Sequence, residues 1–219
     1  CSLILAYLVH SYFYSIIYKE LWLFRKKVTE LLHRYCKLSL QIIGVRVVKQ
    51  GFFRPEDFKF IVSNHMSYLD VLVVASQIPT SFVTSVEIRE TPFLGLLTKL
   101  GGCLYVERRN KQNLSQEILE ITQALQRDLS VTVFPEATST NGEAVLRFRK
   151  PLFQSCIDAG VQVNPICINY SKINGQNFSL QNRDLVCWYG DMTFLPHLWN
   201  LVGCKEIVAE LSMLQNIPQ

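Results

Sequence analysis

Hydrophobic positions along the chain follow two different periods, and their alternation predicts a layered α/β domain. From residue 43 onward, short runs rich in β-branched and aromatic residues predict strands. The predicted strands are 45–49, 58–63, 82–86, 103–107, 131–134, 166–169, 185–188 and 207–211. Helical spacing of apolar residues predicts a helix over 114–129, and Pro151 and Gly160 stand where another helix begins and ends. This order predicts a mixed, largely parallel central sheet flanked by helices.

The N-terminal stretch is apolar and uncharged. Residues 1–18 contain no Lys, Arg, Asp or Glu, and as a helix they reach about 27 Å, slightly less than the roughly 30 Å hydrocarbon core of a bilayer. The basic cluster 25–27 follows and is expected on the cytoplasmic side. We predict that 1–42 form an N-terminal membrane-anchoring helical segment, either spanning the bilayer or lying in one leaflet. The alternative is a core helix of the globular domain.

Composition favours lipid over nucleic acid as a partner. The chain of 219 residues is 49% hydrophobic and 18% charged, which lies at the apolar edge of soluble proteins. Its 22 Lys and Arg against 18 Asp and Glu give a modest positive excess, too sparse for nucleic-acid binding. The seven cysteines include no CxxC pair, so we predict reduced thiols on a membrane-associated protein whose globular domain faces the cytoplasm. No pair of histidines has metal-ligand spacing, and we predict no metal.

A histidine and an aspartate lie five residues apart where an apolar strand meets a predicted helix. The segment 61–70 reads IVSNHMSYLD. Five residues of a regular helix turn through about 500°, so the two side chains would point apart if both were helical. We therefore predict His65 in the turn before the helix and Asp70 one turn inside it, in contact with the ring. A carboxylate on one ring nitrogen leaves the other to act as a general base, and a satisfied polar pair is the alternative.

Four ordered segments resemble the motifs of the glycerolipid acyltransferases, the family typified by 1-acylglycerol-3-phosphate acyltransferase. Segment 64–70 resembles the Asn-His-x4-Asp motif, and 102–108 resembles Gly-x-x-Phe-Ile-x-Arg. Segment 134–139 resembles Phe-Pro-Glu-Gly-Thr-x with Ala137 in place of glycine, and 163–166 resembles the final apolar-Pro motif. The stretch from Glu87 to Arg89, with Pro92 and Gly95 after it, also looks like the family's connecting segment. The resemblance covers roughly 43–212, so 43–219 are predicted to form the acyltransferase domain.

The resemblance implies a role for each matching residue. His65 would be the catalytic base and Asp70 the residue that orients it. Arg108, with Arg109, would bind the acceptor phosphate, and Glu136 would organise the acceptor. The predicted substrate-binding residues are Asn64, Arg108, Arg109, Glu136, Ala137, Thr138 and Arg149. Two alternatives stay open, since Glu136 also fits a charge at a helix N-terminus and Arg149 fits a solvated basic face.

The predicted reaction is direct acyl transfer from a thioester to a lipid hydroxyl. The donor would be acyl-CoA or acyl carrier protein, no other cofactor is required, and backbone N–H groups after His65 would stabilise the oxyanion. The preferred acceptor is 1-acylglycerol-3-phosphate, which would give phosphatidic acid, with lyso-ornithine lipid as the alternative. Phe52, Phe53 and the helix 92–100 would line an acyl tunnel or else belong to the core. An acyl thioesterase and an inactive lipid-binding protein are the rival functions.

Overall fold

The computed structural model describes residues 2–51, 54, 57–107 and 113–217. Its helices are α1 Ser2–Ile17, α2 Leu21–Ile42, α3 Tyr68–Ala75, α4 Val86–Glu90, α5 Leu94–Leu100, α6 Leu114–Gln126, α7 Gln154–Ala159 and α8 Phe194–Val202. Its strands are β1 Val45–Gln50, β2 Phe60–Ser63, β3 Ser81–Ser85, β4 Leu104–Val106, β5 Val131–Val133, β6 Val163–Ile173, β7 Gln176–Asn177 and β8 Ile207–Met213.

The strands described form one mixed sheet. Its order is β1-β8-β6-β2-β5-β3-β4, with β7 paired to β6. Every neighbouring pair on this path is parallel except β6 with β8, and β6 also pairs antiparallel with β7. The prediction of a mixed, largely parallel sheet flanked by helices is confirmed.

Helices cover both faces of the sheet, which explains why the central strands are apolar throughout. Every residue of β2 and of β5 is buried. One core cluster joins the sheet to α2, α3 and α8, and the other joins it to α6 and α7. Strands buried on both faces lose the polar alternation of a half-exposed strand, so they read as short continuous apolar runs. The two strands with such runs, β2 and β5, lie side by side at the centre of the sheet.

Seven of the predicted strands are present, and the one at 185–188 is wrong. That stretch ends a 3₁₀ turn at Leu185 and continues as a loop, in which Val186 and Cys187 are fully buried. An apolar run can therefore bury its side chains without joining the sheet. The two-residue strand β7 was missed although Asn174-Gly175, both at positive φ, form the hairpin turn before it. The helix predicted over 114–129 is α6, and Gly160 ends α7 with a φ of 68° as predicted.

The N-terminal segment folds as two helices. Helix α1 exposes a row of apolar side chains, whereas α2 contributes the buried residues Cys36 and Leu40 to the core. Within the residues described, no helix combines the length and the hydropathy that crossing a bilayer requires. The division of the chain at residue 42, where α2 ends, stays a prediction.

Candidate active site

The site lies at the carboxyl ends of the two central parallel strands. His65 follows β2, and the Phe134–Glu136 turn follows the neighbouring strand β5. Ser67 caps α3: its side chain accepts the N–H of Leu69, while the carboxylate of Asp70 accepts the N–H of Ser67. This capping box ends the turn and starts the helix. It also fixes Asp70 within the first turn of α3, next to His65.

His65 and Asp70 are in direct contact. Nδ1 of His65 lies 2.9 Å from Oδ2 of Asp70, and the carboxylate is fully buried while 20% of the imidazole side chain is exposed. The contact predicted from the sequence is therefore present. A carboxylate accepts hydrogen bonds, so it selects the tautomer with the proton on Nδ1 and leaves Nε2 as the proton acceptor. The pair has the geometry of a general base, and its catalytic role stays a prediction.

The carboxylate of Asp70 accepts further hydrogen bonds. Oδ2 accepts the backbone N–H groups of Met66 and Ser67 at 2.6 and 2.8 Å. Oδ1 accepts the hydroxyl of Tyr170 at 2.5 Å. Tyr170 lies on β6, and burial, together with the nearby charge of Asp70, raises the pKa of its hydroxyl well above the usual value, so it remains a donor. The sequence prediction missed Tyr170; its only signal was its place on the inward-facing alternation of β6.

Phe134 from the third motif covers one face of the imidazole. Its ring stacks on that of His65 with centroids 4.1 Å apart and an interplanar angle of 16°. Phe82 from β3 also stacks on Phe134, with ring centroids 6.1 Å apart. The imidazole is therefore fixed by a hydrogen bond at Nδ1 and by an aromatic face. This arrangement restricts rotation of the ring about both of its side-chain torsions.

The backbone around His65 is held by two loops, the one that follows β5 and the one that precedes α8. The N–H of His65 donates to Oε1 of Glu136 at 2.8 Å, and its carbonyl accepts the N–H of Thr140 at 2.9 Å. The carbonyl of Met66 accepts the N–H of Trp188 at 2.8 Å. The buried stretch mistaken for a strand therefore supports the turn that carries His65.

Two predicted substrate-binding residues are occupied by the protein itself. Glu136 is 5% exposed, and its second oxygen accepts the N–H of Leu146 at 2.7 Å. The side-chain amide of Asn64 donates to the carbonyl of Ile168 at 2.9 Å and accepts its N–H at 2.8 Å. Both oxygens of Glu136, and both the oxygen and the nitrogen of the Asn64 amide, are therefore hydrogen-bonded to backbone groups. The structure therefore favours a role for Glu136 and Asn64 in positioning the turn that carries His65 over the predicted contact with substrate.

The predicted oxyanion donors are also largely occupied. The first amides after His65 belong to Met66 and Ser67, and both donate to Asp70. The amide of Leu69 donates to the capping side chain of Ser67. A donor already satisfied by a carboxylate has little capacity left for a developing negative charge. The structure thus disfavours these groups as the oxyanion site, because the capping box uses them.

The remaining predicted residues lie beside this centre or outside the described part of the chain. Ala137 follows Glu136 at a φ of 59°, and Thr138 is exposed next to it. The backbone of Arg149 donates to the carbonyl of Pro135 at 2.9 Å, while its side chain is exposed. Arg108 and Arg109 lie outside the described residues, as do Phe52 and Phe53 of the predicted tunnel. The phosphate-binding role of the two arginines therefore stays a prediction.

Two histidines outside this centre fit structural roles. His33 contacts the carbonyl of Ala75 at 2.7 Å, and His197 lies between the hydroxyl of Tyr68 and the carbonyl of Cys187 at 2.9 and 3.0 Å. Burial lowers the pKa of both imidazoles below the usual range. In the described part of the chain, no three His, Cys, Asp or Glu side chains are grouped so that they could bind a metal ion.

Comparison with known proteins assigns the family. A family profile described as Acyltransferase matches residues 44–169, which include His65, Asp70 and Glu136. The chain belongs to the glycerolipid acyltransferase family. The family that the sequence resemblance predicted is therefore confirmed.

Curated relatives include enzymes with two kinds of acceptor. A lyso-ornithine lipid O-acyltransferase from Rhizobium meliloti is 29% identical over 196 residues, covering 85% of this chain and 67% of the relative. A 1-acyl-sn-glycerol-3-phosphate acyltransferase from Neisseria gonorrhoeae is 28% identical over 172 residues, covering 78% of this chain and 65% of the relative. The chain thus spans about two thirds of the length of these relatives.

A solved structure supports the same fold. The crystal structure of the 1-acyl-sn-glycerophosphate acyltransferase PlsC from Thermotoga maritima aligns with a TM-score of 0.59 and 19% identity. The alignment covers 98% of this chain and 85% of that one. At this identity the likeness establishes the shared fold alone.

Proposed function

We propose that this protein transfers a fatty acyl group from a thioester to the free hydroxyl of a lysophospholipid. The observation that carries the proposal is the contact between Nδ1 of His65 and the buried carboxylate of Asp70. Membership of an acyltransferase family and relatives named as lysolipid acyltransferases support the same reaction.

The proposed step is a direct transfer without an acyl-enzyme. Nε2 of His65 takes the proton from the acceptor hydroxyl while the hydroxyl oxygen attacks the thioester carbonyl carbon. The C–S bond then breaks as the new C–O ester bond is completed, and the thiolate leaves as a thiol with the proton from His65. Asp70 stabilises the imidazolium that exists between these two proton transfers.

We propose 1-acylglycerol-3-phosphate as the first candidate acceptor, with phosphatidic acid as the product. The exposed cations Arg147, Arg149 and Lys150 beside the third motif support an acceptor with a phosphate group. Lyso-ornithine lipid is the second candidate, because relatives of both kinds have almost the same identity to this chain. The acyl donor is either acyl-CoA or acyl carrier protein.

We propose that the protein associates with a membrane, and the exposed surface of α1 supports this. Seven of its apolar side chains are exposed. They are Ile4, Leu5, Val9, Tyr12, Phe13, Ile16 and Ile17. Burial in the lipid interface would remove this surface from water, and the catalytic domain would then face the cytoplasm, where its acyl donor is available.

The proposed function is tested by product analysis with one acyl donor and a panel of lysolipids. We expect mass spectrometry to detect a diacyl product with the preferred lysolipid, and His65→Ala to abolish it. His10→Ala, on α1 and outside the site, is the matched control and should retain activity. Free fatty acid as the sole product with and without every lysolipid would instead indicate a thioesterase. Undiminished transfer by His65→Ala would refute the base assignment.

A further inference from the structure

Tyr170 makes the one hydrogen bond described to the far oxygen of the Asp70 carboxylate. Its side chain is 1% exposed, and its hydroxyl donates to Oδ1 at 2.5 Å. The other oxygen, Oδ2, accepts from His65 and from two backbone amides. The phenol therefore binds one carboxylate oxygen, and the imidazole contacts the other.

The register that brings Tyr170 to Asp70 is fixed by the same loop that carries His65. Asn64 binds both backbone groups of Ile168, two residues before Tyr170 on β6. Residues two apart on a strand share a face, so this bond points the phenol towards the start of α3. Since the contact joins residues 100 positions apart, it forms only in the folded domain.

We propose that Tyr170 is a positioning residue for catalysis, which orients Asp70 towards His65 and shares the negative charge of its carboxylate. The proposal rests on the proposed function, because it assigns Tyr170 to the same proton transfer. Tyr170 acts through Asp70 and is not placed to touch the substrate.

The loss of the phenol has two separate consequences. Without the hydroxyl, Asp70 can rotate about its side-chain torsions, so fewer molecules hold the imidazole in the reactive orientation. The negative charge of the carboxylate is also shared with one donor fewer. The more negative carboxylate stabilises the protonated form of the catalytic base. The first effect lowers kcat, and the second moves the acidic limb of the pH profile upward.

The test is Tyr170→Phe, which removes only the hydroxyl. We expect kcat to fall about tenfold with little change in KM for the lysolipid, as for loss of a hydrogen bond to a charged group. We also expect the acidic midpoint of kcat/KM to rise by several tenths of a pH unit. Tyr189→Phe is the matched control, because Tyr189 donates to the carboxylate of Asp184 at 2.8 Å on the surface. It should leave both quantities unchanged.

Two further measurements keep the test decisive. In the Asp70→Asn background, Tyr170→Phe should have almost no additional effect on kcat, since its action passes through the carboxylate. In the unaltered protein, proton NMR should show a slowly exchanging phenolic proton that shifts in Asp70→Asn, which reports the bond even if Tyr170→Phe fails to fold. An unchanged pH profile, additive losses or the absence of that proton would overturn the proposal. Product formation by His65→Ala would instead remove the proposed function itself.

A second, independent feature is the exposed segment 145–150, with the sequence VLRFRK. Its apolar residues Val145, Leu146 and Phe148 are 59%, 46% and 37% exposed, and its three cations are also exposed. No ion pair between described residues uses these cations. A cleft of about 760 Å³ adjoins the segment.

The position of this segment connects it to the active site. The N–H of Leu146 donates to Glu136, whose other oxygen accepts the N–H of His65. The alternation of exposed apolar side chains with exposed cations is typical of surfaces that insert between anionic lipid headgroups. An acidic carrier protein would match the charge but would give no reason for three neighbouring apolar side chains to be exposed.

We infer that the segment 145–150 binds the anionic leaflet from which the acceptor is drawn. The test compares sedimentation with phosphatidylcholine vesicles that contain or lack phosphatidylglycerol. We expect the unaltered protein to prefer anionic vesicles at low salt, and Arg147→Glu with Lys150→Glu to weaken that binding by more than about tenfold. The control, Lys172→Glu with Lys205→Glu, makes the same charge change at exposed positions elsewhere and should retain most of the preference.

Three outcomes contradict this inference. The first is equal binding of the unaltered protein to both vesicle types, and the second is a loss of binding in the control pair as large as that in the test pair. The third is a higher KM for acyl carrier protein in the test pair with unchanged vesicle binding, which would identify a protein as the occupant.

Discussion

Ala137 has a backbone conformation that suits glycine. Its φ is 59°, and its N–H closes the turn by donating to the carbonyl of Phe134 at 3.0 Å. For an L-residue with a Cβ atom, the left-handed region costs about 1–2 kcal/mol. The turn is retained because Glu136, the residue before Ala137, binds the backbone of His65. The third motif therefore contains local strain at Ala137, the position where the motif of the family has glycine.

Ala137→Gly is predicted to stabilise the protein. Relief of the strain exceeds the entropy that glycine adds to the unfolded chain, so we expect a gain of about 0.5–1 kcal/mol in the free energy of unfolding. Denaturant unfolding measures the change. The control is Ala124→Gly, a fully buried position within α6, which should lose about 1 kcal/mol or more. Equal losses in both variants would contradict the argument.

The sequence could predict the local half of the site but not its distant partners. The contact of His65 with Asp70 followed from a five-residue spacing across a turn. Tyr170 and Glu136 reach the same turn from 100 and 71 positions away, so their contacts depend on strand order and register. A motif names such residues without saying what they touch, which is why Glu136 was assigned to the acceptor instead of the backbone.

At the scale of elements, Gly95 lets two short helices meet closely. A Cβ atom at Gly95, in α5, would lie 2.0 Å from the carbonyl oxygen of Arg89 at the end of α4. The backbone N–H of Gly95 also donates to the carbonyl of Thr91 at 2.8 Å. The joint has no room for any side chain. This close approach is a physical reason for the glycine at position 95, in the stretch that resembles the connecting segment of the family.

Gly95→Ala is predicted to destabilise the protein strongly. Because the clash is with backbone, relief requires movement of α4 or α5, and we expect a loss of about 2–3 kcal/mol. The control is Gly203→Ala at the end of α8, where the nearest atom would be 3.3 Å away and φ is −73°. Thermal unfolding should show a large fall in Tm for the first variant only. Similar Tm values would show that the joint can adapt.

Helix α8 presents a buried imidazole to the start of α3. His197 is 5% exposed and contacts Tyr68, and burial lowers its pKa despite the opposing effect of the Cys187 carbonyl and Asp184. Below its unfolded pKa of about 6.5, the unfolded chain takes up a proton that the folded protein resists. The contribution of His197 is therefore complete above that pH and declines as the pH falls.

His197→Gln is predicted to make stability less sensitive to acid. The amide still offers a donor and an acceptor but does not titrate, so the slope of unfolding free energy against pH below about 6.5 should decrease. Denaturant titrations at pH values from about 5 to 7.5, the range in which histidine titrates, measure the slope. His33 also has a pKa lowered by burial, so part of the slope should remain. An unchanged slope would show that His197 does not contribute.

At the scale of the whole molecule, burial of the sheet on both faces explains which strands the hydrophobic pattern could predict. Central strands such as β2 appear as short apolar runs, so their existence was predictable, and their parallel order followed from the helices between them. The loop at 185–188 has the same composition because it is buried beneath α8, beside α3. Composition alone does not distinguish a buried strand from a buried loop, since the difference lies in the pairing of backbone groups with a neighbour.

Two exposed apolar regions of the described surface differ in charge. Helix α1 carries no acidic residue in its first turn and no basic residue in its last. Its exposed Phe13 and Ile17, at 53% and 65%, contrast with the cationic segment 145–150. Apolar insertion depends on area removed from water, whereas cation binding depends on lipid charge and salt. The two regions are therefore predicted to have different dependences on membrane composition.

Phe13→Ser with Ile17→Ser is predicted to weaken vesicle binding by about tenfold or more, because each change removes a large apolar surface from the interface. The loss should be the same for neutral and anionic vesicles and insensitive to salt, which sedimentation across a salt series measures. Leu180→Ser is the matched control, since Leu180 is 69% exposed in a loop outside α1. A loss confined to anionic vesicles would assign binding to charge, and equal binding by all variants would mean that α1 packs against protein instead of lipid.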